Sequence, residues 1–323
     1  MLIVGQELSD RAEIDAGDEI TAVTFTPNGE HFVIGTLGGV QVWRMKDGER
    51  VATMKVKYSI GSVVTVSKDG RFIAAVSQSN VLAWDTTTYE QVLEGHHESQ
   101  ARWYIRDVDF SPDSTRLVSA DGNEKTATTV WDFAASKKVR SLYHHKWLVV
   151  AAKYSPRGDR IVTAQNTSNK PIRVWDSKDG RLLVTVNVGL SSNLLIWFCD
   201  LLWFNNHLLV SEGSKIKQID IYTGSSTSKG SVPYNSRIAL PHHGQFIACT
   251  TRDDITFLDS LTGTRLGLIS RSTNESSIVF FPSGQRLALV QKRKIIIENI
   301  SCAKVRALLN VSPFLICTLY TRS

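Results

Sequence analysis

The feature that most constrains this chain is a short apolar strand, ending near a tryptophan and followed by a turn, that recurs seven times. Four copies, VQVWRMKDG, VLAWDTTT, TTVWDFAAS and IRVWDSKDG, contain Trp43, Trp84, Trp131 and Trp175. Three weaker copies follow in the same phase, with Ile219, Leu258 and Glu298 at the tryptophan position. Successive copies are 41, 47, 44, 44, 39 and 40 residues apart. This period indicates one supersecondary unit repeated along the chain.

A second landmark, a tight turn rich in Pro, Asn, Asp and Gly, precedes each of these strands. The seven turns are TPNGE (26–30), SKDGR (67–71), SPDST (111–115), SPRGD (155–159), FNNH (204–207), PHHGQ (241–245) and FPSGQ (281–285). Each turn separates two short β-rich runs, so every unit contains four strands joined by turns. Four strands in about 40–45 residues is the pattern of one propeller blade. The sequence therefore predicts an all-β fold, a single seven-bladed β-propeller of four-stranded antiparallel blades.

The paired turn and Trp-Asp landmarks resemble the WD-repeat family over residues 20–309. Blades of that family usually carry a Gly-His dipeptide and an Asp that join the Trp in a buried hydrogen-bond network. Only Gly95-His96 resembles that dipeptide, and the turns before Trp43 and Trp84 lack the Asp. Apolar packing should therefore hold the blades together. The stretch LLWFNNHLLV…IKQID (201–220) is also similar to WD-repeat proteins of filamentous fungi. That likeness implies a eukaryotic, intracellular protein, located in the cytoplasm or the nucleus.

The repeat divides the chain into an N-terminal segment (1–19), the seven-bladed propeller (20–310) and a short apolar tail or extra strand (311–323). In the WD-repeat family the N-terminal segment often completes the last blade, which removes exposed sheet edges. MLIVGQEL (1–8) could supply that strand, but AKVRALL (303–309) is an alternative fourth strand for the seventh unit.

Residues with catalytic or ligand chemistry form no recognised motif. The 323 residues contain no G-x-S-x-G elbow and no G-x-x-x-x-G-K-[ST] loop. The six paired histidines, His96-His97, His144-His145 and His242-His243, fall in loops on opposite propeller faces, so we expect no shared metal site. Asp107 and Asp109 are expected to be surface charges. The sequence thus predicts no enzyme activity, no metal and no cofactor, and the lack of any run of 18 apolar residues predicts no membrane partner.

An aromatic and basic cluster is the best candidate for a binding site. ARWYIR and HHKW supply Arg102, Trp103, Tyr104, Arg106 and Trp147. Trp103 and Trp147 both lie eight residues before the Ser of their turns, which places them at equivalent positions near the mouth of the central channel. In the WD-repeat family that face commonly receives peptides or partner domains, and Trp, Tyr and Arg are enriched at interface hot spots. The alternative is that both Trp side chains fill gaps between blades.

Three functions remain in competition. The first is a non-catalytic scaffold that binds a partner protein or peptide through the propeller face. The second is a propeller enzyme, a hydrolase or a quinoprotein-like oxidoreductase, with its site in the central channel. The third is weak nucleic-acid binding, suggested by the net charge of +6 and the basic run QKRK (291–294). A solvated hairpin tip explains QKRK better, so nucleic acid is not the favoured partner.

Overall fold

The computed structural model describes thirteen stretches of the chain. They are residues 11–96, 105–120, 128–143, 148–165, 171–188, 198–204, 207–212, 214–231, 237–240, 246–250, 254–270, 277–283 and 286–299. These residues form 28 β-strands in seven four-stranded antiparallel sheets, and no helix occurs among them. The seven-bladed propeller predicted from the repeat is therefore confirmed.

Each of the first six sheets is one repeat unit, with its four strands side by side in chain order. The first three blades are β2 (Ile20–Phe25), β3 (His31–Thr36), β4 (Gly39–Arg44) and β5 (Arg50–Lys55); β6 (Val64–Val66), β7 (Phe72–Ser77), β8 (Asn80–Asp85) and β9 (Gln91–His96); β10 (Asp107–Phe110), β11 (Arg116–Ala120), β12 (Thr128–Asp132) and β13 (Lys137–Ser141).

The fourth to sixth blades repeat this order, and the fifth and sixth lack the tryptophan of the third strand. They are β14 (Val149–Tyr154), β15 (Arg160–Gln165), β16 (Pro171–Asp176) and β17 (Leu182–Asn187); β18 (Phe198–Phe204), β19 (His207–Glu212), β20 (Lys215–Asp220) and β21 (Ser226–Ser231); β22 (Arg237–Ala239), β23 (Phe246–Thr250), β24 (Asp254–Asp259) and β25 (Arg265–Ser270).

The seventh blade joins the two ends of the propeller. Its strands β26 (Ser277–Phe280), β27 (Arg286–Gln291) and β28 (Lys294–Asn299) are completed by β1 (Arg11–Asp15), which pairs antiparallel with β28. The first strands of neighbouring blades contact one another in order, and β26 contacts β2, so the ring is closed. Residues 1–8 and 303–309, the two segments considered for this strand, lie outside the described residues.

The buried apolar residues of the described stretches form seven clusters, and each lies between two adjacent blades. In the first blade the second and third strands are buried almost throughout, whereas the outer strand β5 is mostly exposed. Both faces of these two inner strands are therefore covered by neighbours, which is why they read as near-continuous apolar runs. Apolar packing between blades holds the ring together, as the sequence predicted.

Candidate functional site

The antiparallel order of the strands assigns every loop to one of two faces. The turns between second and third strands and the links between blades lie on one face, here called the upper face. Its described loops include residues 37–38, 56–63, 78–79, 105–106 and 142–143. The other turns lie on the opposite, lower face, because the chain reverses direction at every turn. Arg106, the predicted binding residue within the described stretches, belongs to one of these upper-face links.

Among the residues that the structure describes, three large apolar or aromatic side chains are exposed on the upper face. Leu37 is 48% exposed, Tyr58 is 40% exposed and Tyr143 is 58% exposed. The Lys57 ammonium lies 5.2 Å from the centre of the Tyr58 ring, and the Ser77 hydroxyl donates to the Tyr58 carbonyl oxygen at 3.0 Å. Aromatic side chains held on a rigid backbone offer contact area at a small entropic cost.

Arg106 is the one predicted binding residue that the structure describes. Its backbone N–H donates to the Ala120 carbonyl oxygen at 2.9 Å, which fixes the start of the third blade. The side chain is partly buried, and its guanidinium Nε is buried without a hydrogen-bond partner in the described part of the chain. Arg102, Trp103, Tyr104 and Trp147 lie outside the described residues, so their predicted role stays a prediction.

A charged cluster on the innermost strands joins the third blade to the fourth. Asp107 accepts hydrogen bonds from the Ala152 N–H at 3.1 Å and from the Lys153 ammonium at 2.7 Å. Asp109 accepts from the Tyr154 N–H at 2.8 Å. Asp107 is only 6% exposed. The expectation that these carboxylates are surface charges was wrong: Asp107 is buried, Asp109 is half-buried, and both accept backbone N–H groups of the inner strand of the next blade, which has no further strand to pair with.

One carboxylate of this cluster, Asp109, has an unusually high pKa. Desolvation by burial raises the pKa of Asp109 to about 6, the nearby Lys153 ammonium opposes that rise, and the Asp107 carboxylate adds to it. A carboxyl group with this pKa exchanges its proton near neutral pH, which is the property that a general acid or base requires.

Tryptophans of the third strands donate within their own blades. Trp131 Nε1 donates to the Ser119 hydroxyl at 2.7 Å, and Trp175 Nε1 donates to the Thr163 hydroxyl at 2.9 Å. In the first blade Trp43 Nε1 instead donates to Gln41 Oε1 at 3.0 Å. The Trp and Ser or Thr part of the network implied by the family resemblance is thus present in two blades.

The Gly-His dipeptide contributes to this packing through its glycine. A Cβ placed on Gly95 would lie 2.5 Å from Cζ3 of Trp131, so the tryptophan ring rests against the glycine backbone. The His96 side chain is instead exposed, and its Nδ1 lies 2.8 Å from Asn80 Oδ1 of the same blade.

Other candidate ligand groups form no site within the described stretches. No three His, Cys, Asp or Glu side chains converge there as metal ligands, and no helix there is long and apolar enough to cross a membrane. Of the paired histidines only His96 is described. The QKRK run forms an exposed hairpin tip, where Lys294 pairs with Glu13 and Arg293 donates to the Gly17 carbonyl oxygen.

These features define the class of the molecule as a closed seven-bladed β-propeller with an exposed aromatic upper face. The family described as WD domain, G-beta repeat matches residues 87–128, which run from the end of the second blade into the third. Together the seven blades and this match support a WD-repeat β-propeller. The likeness to fungal WD-repeat proteins stays a prediction.

Two further comparisons define the limits of this assignment. A 120-residue stretch is 36% identical to the 66 kDa stress protein of Physarum polycephalum, covering 35% of this chain and 18% of that relative. The fold is similar to a chain of hydrazine synthase from Kuenenia stuttgartiensis, with a TM-score of 0.75 and 15% identity, covering 93% of this chain and 99% of that one. At this identity the second likeness concerns the fold alone.

Proposed function

We propose that this propeller is a non-catalytic platform that binds a protein or peptide partner through its upper face. The observation that carries the proposal is the exposure of Tyr58 and Tyr143 on the face where Arg106 enters the third blade. Large aromatic side chains and arginine are the groups that dominate binding energy at protein interfaces. WD-repeat propellers commonly mediate protein interactions, which agrees with this proposal.

Arg106 supplies the polar part of the proposed site. Its buried Nε has no hydrogen-bond partner among the described residues, and a buried donor without a partner is costly. The other guanidinium N–H groups of this partly exposed side chain would donate charge-assisted hydrogen bonds to a partner's carboxylate. The partner's contact segment should therefore present an acidic side chain or a carbonyl group to Arg106, with apolar residues against Tyr58 and Tyr143. We place the protein inside the cell, in the cytoplasm or the nucleus.

An enzyme with its site near the channel is the second candidate, because Asp109 has a pKa of about 6 and lies close to Lys153. Asp107 and Asp109 nevertheless accept backbone N–H groups of the next blade. This arrangement gives both carboxylates a structural task, and it favours the binding platform over the enzyme.

Site-specific photocrosslinking tests the proposed face with two matched tyrosines. A benzoylphenylalanine is placed at Tyr143 on the upper face and, in a second variant, at Tyr222 on the lower face, where the tyrosine is 43% exposed. We expect a discrete crosslinked partner from the first position and none of that species from the second. Equal crosslinking from both positions, or none from Tyr143, would refute the assignment of the upper face.

A further inference from the structure

A cavity of about 320 Å³ opens on the lower face between the first and second blades. The turn from Thr26 to His31 forms one wall, and Asp69 and Gly70 belong to the opposite one. Val42 and Ile73, both buried, line its apolar part. The cavity is remote from the upper face, so it does not depend on the function proposed above.

The repeat explains why this space is open. One interface further along the ring, three aromatic rings fill the corresponding position: Phe72, Phe110 and Phe133. Their ring centroids lie 4.9 Å apart for Phe72 and Phe133 and 5.4 Å apart for Phe110 and Phe133. The equivalent residues of the preceding repeat are His31, Val66 and Thr86. Three smaller or more polar side chains thus replace the stack, and the remaining volume is the cavity.

Tyr89 lines this cavity from an unfavourable backbone conformation. Its φ is 58°, in the left-handed region that favours glycine. Four other blades have glycine at the same position of the turn between third and fourth strands: Gly48, Gly180, Gly224 and Gly263. Tyr89 therefore brings an aromatic side chain to a place where most blades have none, and it packs beside the apolar cluster of the first and second blades.

The carboxylates that line the cavity give its rim an acidic character. Its lining contains the carboxylates of Glu30 and Asp69 and no lysine or arginine. Glu30 accepts one hydrogen bond, from Asn28 Nδ2 at its Oε2 atom, which leaves Oε1 available. Desolvation alone would raise the pKa of Asp69. Hydrogen bonds from Ser67 and Arg71 outweigh it and lower that pKa to about 2, so Asp69 stays ionised. Arg71 offsets much of the Asp69 charge, which makes Glu30 the principal anion.

From this combination we infer that the cavity binds the side chain of a lysine or arginine presented by a partner's peptide. The methylene groups would lie against Val42, Ile73 and the Tyr89 ring, while the cationic end would pair with the Glu30 carboxylate. Long cationic side chains bury an apolar stem and keep the charged end near water, which matches an apolar wall beneath an acidic rim. An aromatic wall adds attraction for a cation.

The inference is tested by titrating the ¹⁵N-labelled chain with the peptide acetyl-Ala-Lys-Ala-amide. We expect saturable shifts at the Gly70 N–H and at the Asn28 side-chain amide at millimolar peptide. The matched peptide with an acetylated lysine, which has lost its charge, should bind about tenfold more weakly, as expected when a charge-assisted bond is lost. Absence of shifts with the lysine peptide, or equal affinity for both peptides, would overturn the inference.

Two variants and one control locate the site. Thr86→Phe restores a ring that the next blade possesses and should abolish the shifts, whereas Glu30→Gln should weaken binding about tenfold. Thr87→Phe places the same ring at the exposed neighbouring position, outside the cavity, and should leave binding unchanged. A native-like spectrum of each variant away from the cavity separates loss of the site from loss of the fold. Unaltered binding to the Thr86→Phe variant would contradict the inference.

Discussion

Replacing Asp109 with asparagine separates a structural carboxylate from a catalytic one. The asparagine Oδ1 atom can still accept the Tyr154 N–H, which lies 2.8 Å from the present carboxylate. The substitution removes the charge and its titration, and it replaces the second carboxylate oxygen with an NH2 group. The variant therefore isolates the cost of holding an ionised carboxylate between the third and fourth blades.

The magnitude follows from the pKa of Asp109. Desolvation raises it from 3.8 to about 6 against the attraction of Lys153. A shift of about two units corresponds to about 3 kcal/mol. Because the folded-state pKa is the higher one, the folded protein holds its proton more tightly than the unfolded chain does. Stability therefore falls as the pH rises from about 4 to above 6, and the ionised group is destabilising at neutral pH.

We expect Asp109→Asn to raise the free energy of unfolding by about 1–3 kcal/mol near pH 7.5 and by almost nothing near pH 4. Urea unfolding, followed by tryptophan fluorescence across this pH range, measures the difference. Asp113→Asn is the matched control of opposite sign. Desolvation alone would raise the pKa of Asp113, but hydrogen bonds from Ser111 and Thr115 outweigh it and lower that pKa. Loss of the Asp113 carboxylate should therefore destabilise the protein at neutral pH and destabilise it less in acid. A pH-independent loss of stability in the Asp109→Asn variant would refute the reasoning.

Three further substitutions test the packing of the ring by chemical denaturation. Ile14→Ala, in the strand that completes the seventh blade, should cost about 2–3 kcal/mol because Ile14 is buried, while the exposed neighbour Glu13→Ala should change stability by less than about 0.5 kcal/mol. Gly95→Ala should cost about 1–3 kcal/mol because its methyl group would overlap the Trp131 ring, and an unchanged midpoint would contradict that contact. Ser114→Gly should raise the free energy of unfolding by about 0.5–1 kcal/mol, because Ser114 has a φ of 59°, in the left-handed region that glycine adopts without strain. A destabilised variant would show that the side-chain contacts of Ser114 outweigh this strain.

Much of the fold could be predicted because the landmarks of each blade are local in sequence. A tight turn needs particular residues whatever surrounds it, and the third strand of each blade is covered on both sides. The phase of the repeat therefore locates β20, β24 and β28 even though Ile219, Leu258 and Glu298 replace the tryptophan.

The strand that completes the ring is harder to recognise from sequence. Residues 1–8 and 303–309 are the apolar segments near the two ends of the repeat, but the outer strand of the seventh blade is RAEID, from Arg11 to Asp15. An outer strand needs few buried side chains, and here Ile14 is buried between the exposed Glu13 and Asp15. Such a strand carries almost no apolar signal.

The candidate sites depend on neighbours that are distant in sequence. Asp107 and Asp109 alternate along a strand like ordinary surface residues, and only the approach of Lys153 and Tyr154 from the next blade shows their role. The lower-face cavity has one signal in the sequence itself, because His31 stands where the next repeat has Phe72. The sequence does not show that the space left by the missing ring stays open.

Quantitative affinity capture from the native cell extract tests the binding platform most directly. The wild-type chain is compared with a variant in which Tyr104, Arg106 and Trp147 are all alanine, and with Leu261→Ala, which removes a 68% exposed lower-face side chain. We predict a partner that is retained by the wild type and by Leu261→Ala and is depleted at least about tenfold by the triple variant. Equal recovery of every protein by all three chains would contradict the proposed function.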